Sequence, residues 1–222
     1  MFLSPRNAEV DRINSRKLKA IEQPEFVYNA VTSGKFKRER PPAPQILRLR
    51  VGAQVMFTKN GRRSGWVNGS VGIVQALTAD SVTVELDTGK TVNVTVETWE
   101  DFKYYWNPVE TRINRQVTGA YTQIPLMLGW AVTIHKSQGK TIERIHLDLG
   151  AGAFETGQTY VALSRCRALS GLTMSRRLTK ADIMVDNESK DFHQKLLEVM
   201  EKLPVSTMKD RISESRRAAT IT

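Results

Sequence analysis

The stretch Ala131-Val132-Thr133-Ile134-His135-Lys136-Ser137-Gln138-Gly139, followed about twenty residues on by Tyr160-Val161-Ala162-Leu163-Ser164-Arg165-Cys166, decides how this chain is read. An apolar segment stops abruptly in a threonine, a histidine, a lysine, a serine and a glutamine, which puts a run of donors where a core element meets solvent. A second apolar run then closes on a single arginine. Such an arrangement suits phosphate oxygens, because cations, hydroxyls and amides all donate to them.

Outward from this stretch the pattern is α/β. Residues 125–132 are apolar, 144–149 read as a strand, 156–166 as a helix and 172–174 as another strand. The start of the chain has the same texture: residues 1–5 form a short apolar strand, Asn7 stands where a helix cap is needed, and Val10, Ile13, Leu18 and Ile21 share one helical stripe. Between these parts, residues 34–44 carry Lys35, Lys37, Arg38 and Arg40 ahead of Pro41, Pro42 and Pro44, the composition of a crossing linker.

Residues 47–117 differ in kind. Val82, Val84 and Leu86 alternate with polar residues, Asp87-Thr88-Gly89-Lys90 supplies a turn, and Val92, Val94 and Val96 alternate on the return, which predicts a hairpin with one buried face. Residues 51–57 and the Val71-Ile73-Val74 segment after the Asn68-Gly69 turn add strands, four or five in all, enough for a small antiparallel sheet or barrel. A last helix is predicted over 188–203, with Phe192, Leu196, Val199, Met200 and Leu203 on one stripe and Pro204 as its stop. The predicted organisation is therefore an α/β domain made of 1–46 and 118–203, a small β-barrel of 47–117 inserted into it, and a polar tail or linker at 204–222.

Composition narrows the function. The 222 residues are 40% hydrophobic, enough for a substantial core, and carry a net charge of +10, which favours a polyanionic partner, nucleic acid first. The one cysteine, Cys166, excludes a disulfide framework and a thiolate zinc site, and the three histidines have no metal-ligand spacing, so no metal site is predicted on this chain. No run of about 18 apolar residues predicts a membrane span, and the first residues lack the order of a signal peptide. The chain reads as soluble, and cytoplasmic or nuclear.

Two triplets imitate a nucleotide-binding loop and fail. Gly139-Lys140-Thr141 and Gly89-Lys90-Thr91 have Ile134 and Val84 where a phosphate loop needs its earlier glycine. The run Gly150-Ala151-Gly152-Ala153-Phe154 meets Glu155 where a dinucleotide fold needs glycine, and Asp148 is followed by Leu149 rather than by a second acid that would help hold Mg²⁺. The parts that bind most of an ATP molecule are missing from this sequence.

What remains resembles the second half of a superfamily-one DNA helicase of the RecD-like and Pif-type class. Residues 129–141 are similar to that family's fifth motif, and Gly157-Gln158-Thr159-Tyr160-Val161-Ala162-Leu163-Ser164-Arg165-Cys166 to its sixth. Residues 3–14 resemble its fourth motif, and Val51-Gly52-Ala53-Gln54-Val55-Met56 with Asn68-Gly69 resembles the entry to its inserted small barrel of the Src-homology-three type. The resemblance implies a RecA-like parallel-sheet domain carrying that barrel, with travel from 5′ to 3′ along a strand. It implies that Arg165 is the arginine finger on a γ-phosphate, that Gln138, Gly139 and Arg6 face the nucleotide, and that Thr133, His135, Lys136, Ser137 and Asn7 grip single-stranded DNA.

In the barrel, Lys59, Arg62, Arg63, Trp66 and Asn68 place charge and an aromatic ring in one loop, which suits stacking and steering of a single strand. Trp99, Tyr104, Tyr105 and Trp106 read as packing, Cys166 as a small buried hydrophobe, and His146 and His193 as ordinary satisfied residues. ATP and Mg²⁺ would be held mainly by a first RecA-like lobe, in cis or in trans, and this chain alone is expected not to hydrolyse ATP. The competing class is a non-catalytic accessory module that binds single strands through the barrel and its basic loops.

Overall fold

Strands of three residues persist only where neighbours support them, and the α/β part of this chain is built from such strands. The computed structural model describes residues 1–37, 41–61 and 65–202. The chain opens on β1 (Phe2–Ser4) and α1 (Asn7–Lys19), passes through β2 (Phe26–Asn29), β3 (Val31–Gly34) and β4 (Ile46–Leu49), and then forms β5 (Gln54–Phe57), β6 (Val71–Leu77), β7 (Ser81–Leu86) and β8 (Thr91–Thr95). A long ribbon follows, β9 (Glu97–Asn107) with β10 (Arg112–Gln123). After it come β11 (Leu126–Leu128), β12 (Ala131–Thr133), α2 (Ile134–Ser137), β13 (Ile145–Leu147), α3 (Gln158–Leu163), β14 (Leu172–Met174) and α4 (Asn187–Lys202).

Both ends of this succession meet in one parallel sheet of order β12-β1-β13-β14. Leu3 of β1 lies opposite Val132 on one side and Leu147 on the other, and all three are buried. Helix α1 lays Val10 and Ile13 on Ala131, beside Phe2. Strand β12 is the edge of this sheet, and its open backbone is closed by a side chain. The Asn14 amide of α1 donates to the Ala131 carbonyl at 2.9 Å and accepts from the Ala131 N–H at 2.9 Å, doing for that peptide what a further strand would do.

The predicted hairpin forms as β7 and β8, with Val84 opposite Val92 and Val82 opposite Val94. It belongs to a five-stranded sheet of order β11-β5-β6-β7-β8 with antiparallel pairings throughout. Its inner face packs Val55, Phe57, Val74, Val82, Val84 and Val94 with Leu47 and Leu49 of β4 and Leu18 of α1. Residues 51–53 form a turn rather than strand, closed by the Ala53 N–H on the Arg50 carbonyl at 2.9 Å, so β5 starts only at Gln54. Val96 likewise falls outside β8 and is exposed.

The apolar run 125–132 divides between the two sheets: β11 pairs with β5 of the antiparallel sheet, and β12 pairs with β1 of the parallel one. Hydrophobicity alone cannot register such a hand-over. Within residues 34–44, Gly34 is the last residue of β3 and pairs with Gly119 of β10, while Ala43 joins a small core with Trp99 and Tyr121. The Tyr121 hydroxyl donates to the Ala43 carbonyl at 2.8 Å.

The chain divides into two compact units, one made of Met1–Ala151 and Val161–Arg177, the other of Gly152–Tyr160 and the residues from Leu178 on. In the second unit the Asp182 carboxylate accepts from the Thr179 N–H at 2.7 Å and hydroxyl at 2.9 Å, closing a single turn at its start. The Thr159 hydroxyl donates to the Asp182 carbonyl. Helix α4 forms where the stripe predicts it, yet Phe192, Leu196, Val199 and Met200 are all exposed. Among the described residues no helix is long and apolar enough to cross a membrane.

Candidate functional site

The site lies at the carboxyl edge of the parallel sheet, the edge at which α/β folds bind ligands because their helices start there. Strand β12 runs without a loop into α2, and Thr133 is the residue at the junction. Its backbone is still extended, and its hydroxyl accepts from the Lys136 N–H at 3.3 Å, which caps the single helical turn. Ser137 is fully buried, and its hydroxyl donates to the Ile134 carbonyl at 2.6 Å. The two expected grips in this turn that reach solvent are therefore His135 and Lys136. Thr133 and Ser137 first of all build the turn.

Gln138 leaves the turn extended, and Gly139 reverses the chain with φ of 77°, a left-handed conformation that a side chain would strain. The reversal carries Lys140 back under the turn, with its N–H on the Ser137 carbonyl at 3.1 Å. Here the sixth-motif arginine joins the fifth-motif segment. Arg165 sits just past α3 and donates from Nε to the Val161 carbonyl at 3.0 Å, from Nη2 to the Ser164 hydroxyl at 2.9 Å and from Nη1 to the Lys140 carbonyl at 3.3 Å. The backbone follows the same path, since the Ile142 N–H donates to the Arg165 carbonyl at 2.8 Å and Ile142 bridges Cys166 in parallel.

Asn7 does not cap α1: the cap position belongs to Arg6, whose backbone is extended and whose side chain makes no capping bond, and Asn7 is the first helical residue. Asn7 instead lines a cavity of about 280 Å³ together with Asp11, Asn14, Thr133 and Lys136. Arg6 is exposed, at the carboxyl end of β1.

The loop residues of the antiparallel sheet separate. Trp66 is only 8% exposed and packs against Phe57 with ring centroids 4.9 Å apart, so its faces belong to the core, which corrects the stacking role expected of it. Lys59 is tied to Glu97 at 2.8 Å and to the Thr98 carbonyl at 2.7 Å, over the Trp99 ring. Asn68 is exposed, with its N–H on the Asn60 side-chain oxygen at 2.7 Å. Arg62 and Arg63 lie outside the described residues.

The aromatic residues of β9 also divide. Trp99 is packed as expected, whereas Tyr104, Tyr105 and Trp106 stand on the far part of the ribbon, with Tyr104 64% and Trp106 57% exposed. Alternation along a two-stranded ribbon does not reveal where its covering layer ends. Cys166 is half-buried rather than enclosed, and its thiol points at the Ala168 carbonyl at 3.1 Å. His146 is held between the Thr173 and Ser175 hydroxyls at 3.0 Å each, while His193 is exposed on α4. Among the described residues no cluster of three or more histidine, cysteine or carboxylate side chains could hold a metal ion.

Sequence reasoning missed Lys140, set aside with the failed phosphate loop. Its ammonium lies 3.3 Å from the Met56 sulfur, 84 positions away in the chain. Burial, and then the neighbouring charge of Lys136, holds its pKa below the ordinary lysine value. No local pattern announces that environment.

A parallel α/β sheet with this donor-rich turn at its carboxyl edge, and an arginine-terminated helix tied to the same turn, defines the RecA-like class of helicase lobe. The family model for the 2B domain of the DNA helicase Pif1 matches residues 39–77. The ATP-dependent DNA helicase Pif1 of Bdellovibrio bacteriovorus is 39% identical over 176 residues, 77% of this chain and 38% of that protein. Among solved structures, Bacteroides sp Pif1 in complex with ADP-AlF4 superposes with a TM-score of 0.80 at 37% identity, covering 89% of this chain and 45% of that one. Bacteroides Pif1 bound to ssDNA gives 0.69 at 38% identity, covering 88% and 45%. The chain thus spans less than half the length of these relatives. It belongs to the Pif-type family of superfamily-one helicases.

Proposed function

We propose that this chain is the second motor lobe of an ATP-dependent DNA helicase. In this reading 1–46 and 118–203 form the RecA-like domain, and 47–117 form an inserted barrel of the Src-homology-three type; the tail or linker expected at 204–222 lies outside the described residues. The antiparallel order β11-β5-β6-β7-β8 and the match to the 2B model support the barrel. A first RecA-like lobe, in cis or in trans, holds ATP and Mg²⁺, and Arg165 completes that site from across the cleft. Single-stranded DNA lies along the turn, gripped by His135 and Lys136 with Thr133, Asn7 and Asn68 beside them, and closure of the two lobes around ATP moves that grip along the strand.

The observation that carries this reading is the bond from Arg165 Nη1 to the Lys140 carbonyl, which ties the finger to the same turn as the strand contacts. Its three bonds run to neutral oxygens, and among the described residues no carboxylate pairs with it. An arriving phosphate competes well with such partners, because bonds to an anion are roughly twice as strong as neutral ones. As negative charge accumulates on the γ-phosphoryl oxygens, a planar guanidinium stabilises the transition state more than the bound nucleotide.

The test is Arg165→Ala in a protein that joins this chain to a phosphate-loop lobe. ATP binding should persist while strand-stimulated hydrolysis falls by about 10³ or more; near-normal turnover would refute the finger. This chain by itself should bind single strands weakly and with strong salt dependence, and should show no ATPase. Robust hydrolysis by the purified chain would overturn the two-lobe reading.

A further inference from the structure

Beyond the small core of Ala43, Trp99 and Tyr121, the outer part of the β9–β10 ribbon runs as two strands alone, since the pairing of β3 with β10 ends at Gly34 opposite Gly119. Its register sets Phe102 opposite Val117, Tyr104 opposite Arg115 and Trp106 opposite Ile113. Residues two apart on a strand share a face, so these six side chains form one surface. Their contacts agree: the Phe102 and Tyr104 rings lie 6.2 Å apart, and the Arg115 guanidinium stands 5.1 Å over the Phe102 ring. All six residues are exposed.

Three rings in succession along one strand are costly to leave in water, and the chemistry of the face says what covers them. Its one charge is positive, and among the described residues no carboxylate pairs with Arg115. The acids that border it are Glu100, two residues in from Phe102, and Glu110 at the tip, which already accepts from Arg112 and Asn114 at 2.7 Å each. The tip is held closed by the Asn107 side chain, whose oxygen accepts from the Val109 N–H at 3.0 Å and the Glu110 N–H at 3.3 Å, so the ribbon is ordered before anything binds. Same-face residues of a strand repeat about every 6.8 Å, while stacked nucleotides rise about 3.4 Å each, so the slot between neighbouring rings has the thickness of one base. Paired bases are closed off within a duplex, whereas those of a single strand offer their faces. The net charge of +10 draws such a polyanion to the chain.

We propose that this face is a base-stacking platform for single-stranded DNA, in which Phe102, Tyr104 and Trp106 stack on bases, Val117 and Ile113 form the apolar floor beside them, and Arg115 neutralises a phosphate of the same stretch. The Tyr104 ring, inclined at 59° to Phe102, turns parallel to it as a base enters. The proposal rests on the single-strand reading above and adds to it a separate contact of another kind. The turn after Thr133 holds the strand by its phosphates, and the ribbon holds it by its bases, a contribution that salt does not screen.

The experiment titrates this chain with a fluorescein-labelled oligothymidylate, and with an abasic oligodeoxynucleotide of the same length, across a series of salt concentrations. It compares Tyr104→Ala, Trp106→Ala and Trp106→Phe, with thermal unfolding to confirm that each variant folds. Each alanine variant should bind oligothymidylate about tenfold more weakly, with an unchanged slope of log K against log salt because no phosphate contact is lost. Trp106→Phe should keep most of the affinity, and every variant should bind the abasic strand as the unsubstituted chain does. Unchanged affinity for oligothymidylate in both alanine variants, or an equal loss on the two probes, overturns the platform and leaves the strand reading standing. No strand binding by the unsubstituted chain at any salt overturns both. Self-association of the unsubstituted chain that Trp106→Ala abolishes, followed by sedimentation, would assign the face to a second copy and overturn the platform.

Discussion

The antiparallel and parallel sheets of this chain bury their strands by different rules, and the difference decides where chemistry can sit. In β8 every second residue is buried: Val92 and Val94 face the core, while Thr91, Asn93 and Thr95 face water. In β12 all three residues are buried, because the strand is covered by α1 and pairs with β1. The first sheet spends its pattern on a core with one face. Within the second sheet β12 has no free face, so its polar chemistry falls at its end, where Thr133 hands over to His135 and Lys136, whereas β14 at the opposite edge leaves Thr173 and Met174 exposed.

The sharpest way to break this contrast is a scan of aspartate substitutions read by chemical denaturation. Ala131→Asp and Val132→Asp, adjacent in β12, should both destabilise by about 4 kcal/mol or more, since each buries an unpaired charge. In β8, Val94→Asp should do the same while Asn93→Asp stays within about 0.5 kcal/mol. A tolerant Ala131→Asp would mean that β12 has an open face after all.

Asn14→Leu sharpens the comparison at the parallel sheet's edge. The replacement keeps the apolar contact of α1 and removes both bonds to Ala131, leaving a buried N–H and C=O unpaired, so a loss of about 2–4 kcal/mol is expected. Amide exchange at Ala131 should quicken in step. Unchanged stability would show that the edge does not depend on the amide.

The smallest effect is expected at the junction of the two regions. Burial, and then Lys136, lowers the pKa of Lys140 below its ordinary value of 10.5. Between the folded and unfolded values the unfolded chain binds more protons, so stability should rise with pH through that window and level off above it. Lys140→Met removes the group, and the variant should be slightly more stable than the unsubstituted chain at neutral pH, with the gap closing as pH approaches 10.5. A gap that does not change with pH would remove the buried-charge account.

Much of this was legible in the residues. The hairpin of Val82–Leu86 and Val92–Val94, the amphipathic α1, the turn after Thr133 and the arginine at the end of α3 follow from alternation, stripe and motif. The hidden parts are pairings over distance. Residues 125–132 look like one apolar segment and belong to two sheets, because strand partners are chosen across space. Trp66 and Trp106 are alike as residues, yet one is enclosed by Phe57 and the other stands on an uncovered ribbon.

By itself the sequence determined α1, the β7–β8 hairpin and the turn after Thr133, because helix stripes, strand alternation and turn residues are local free energies that neighbours along the chain settle. Tertiary structure alone decided that Asn14 closes an edge, that Ser137 is sealed and that Lys140 lies over Gly69, partly buried beside Lys136. Burial and charge balance belong to groups brought together from distant parts of the chain, and they acquire values only once the fold has placed them.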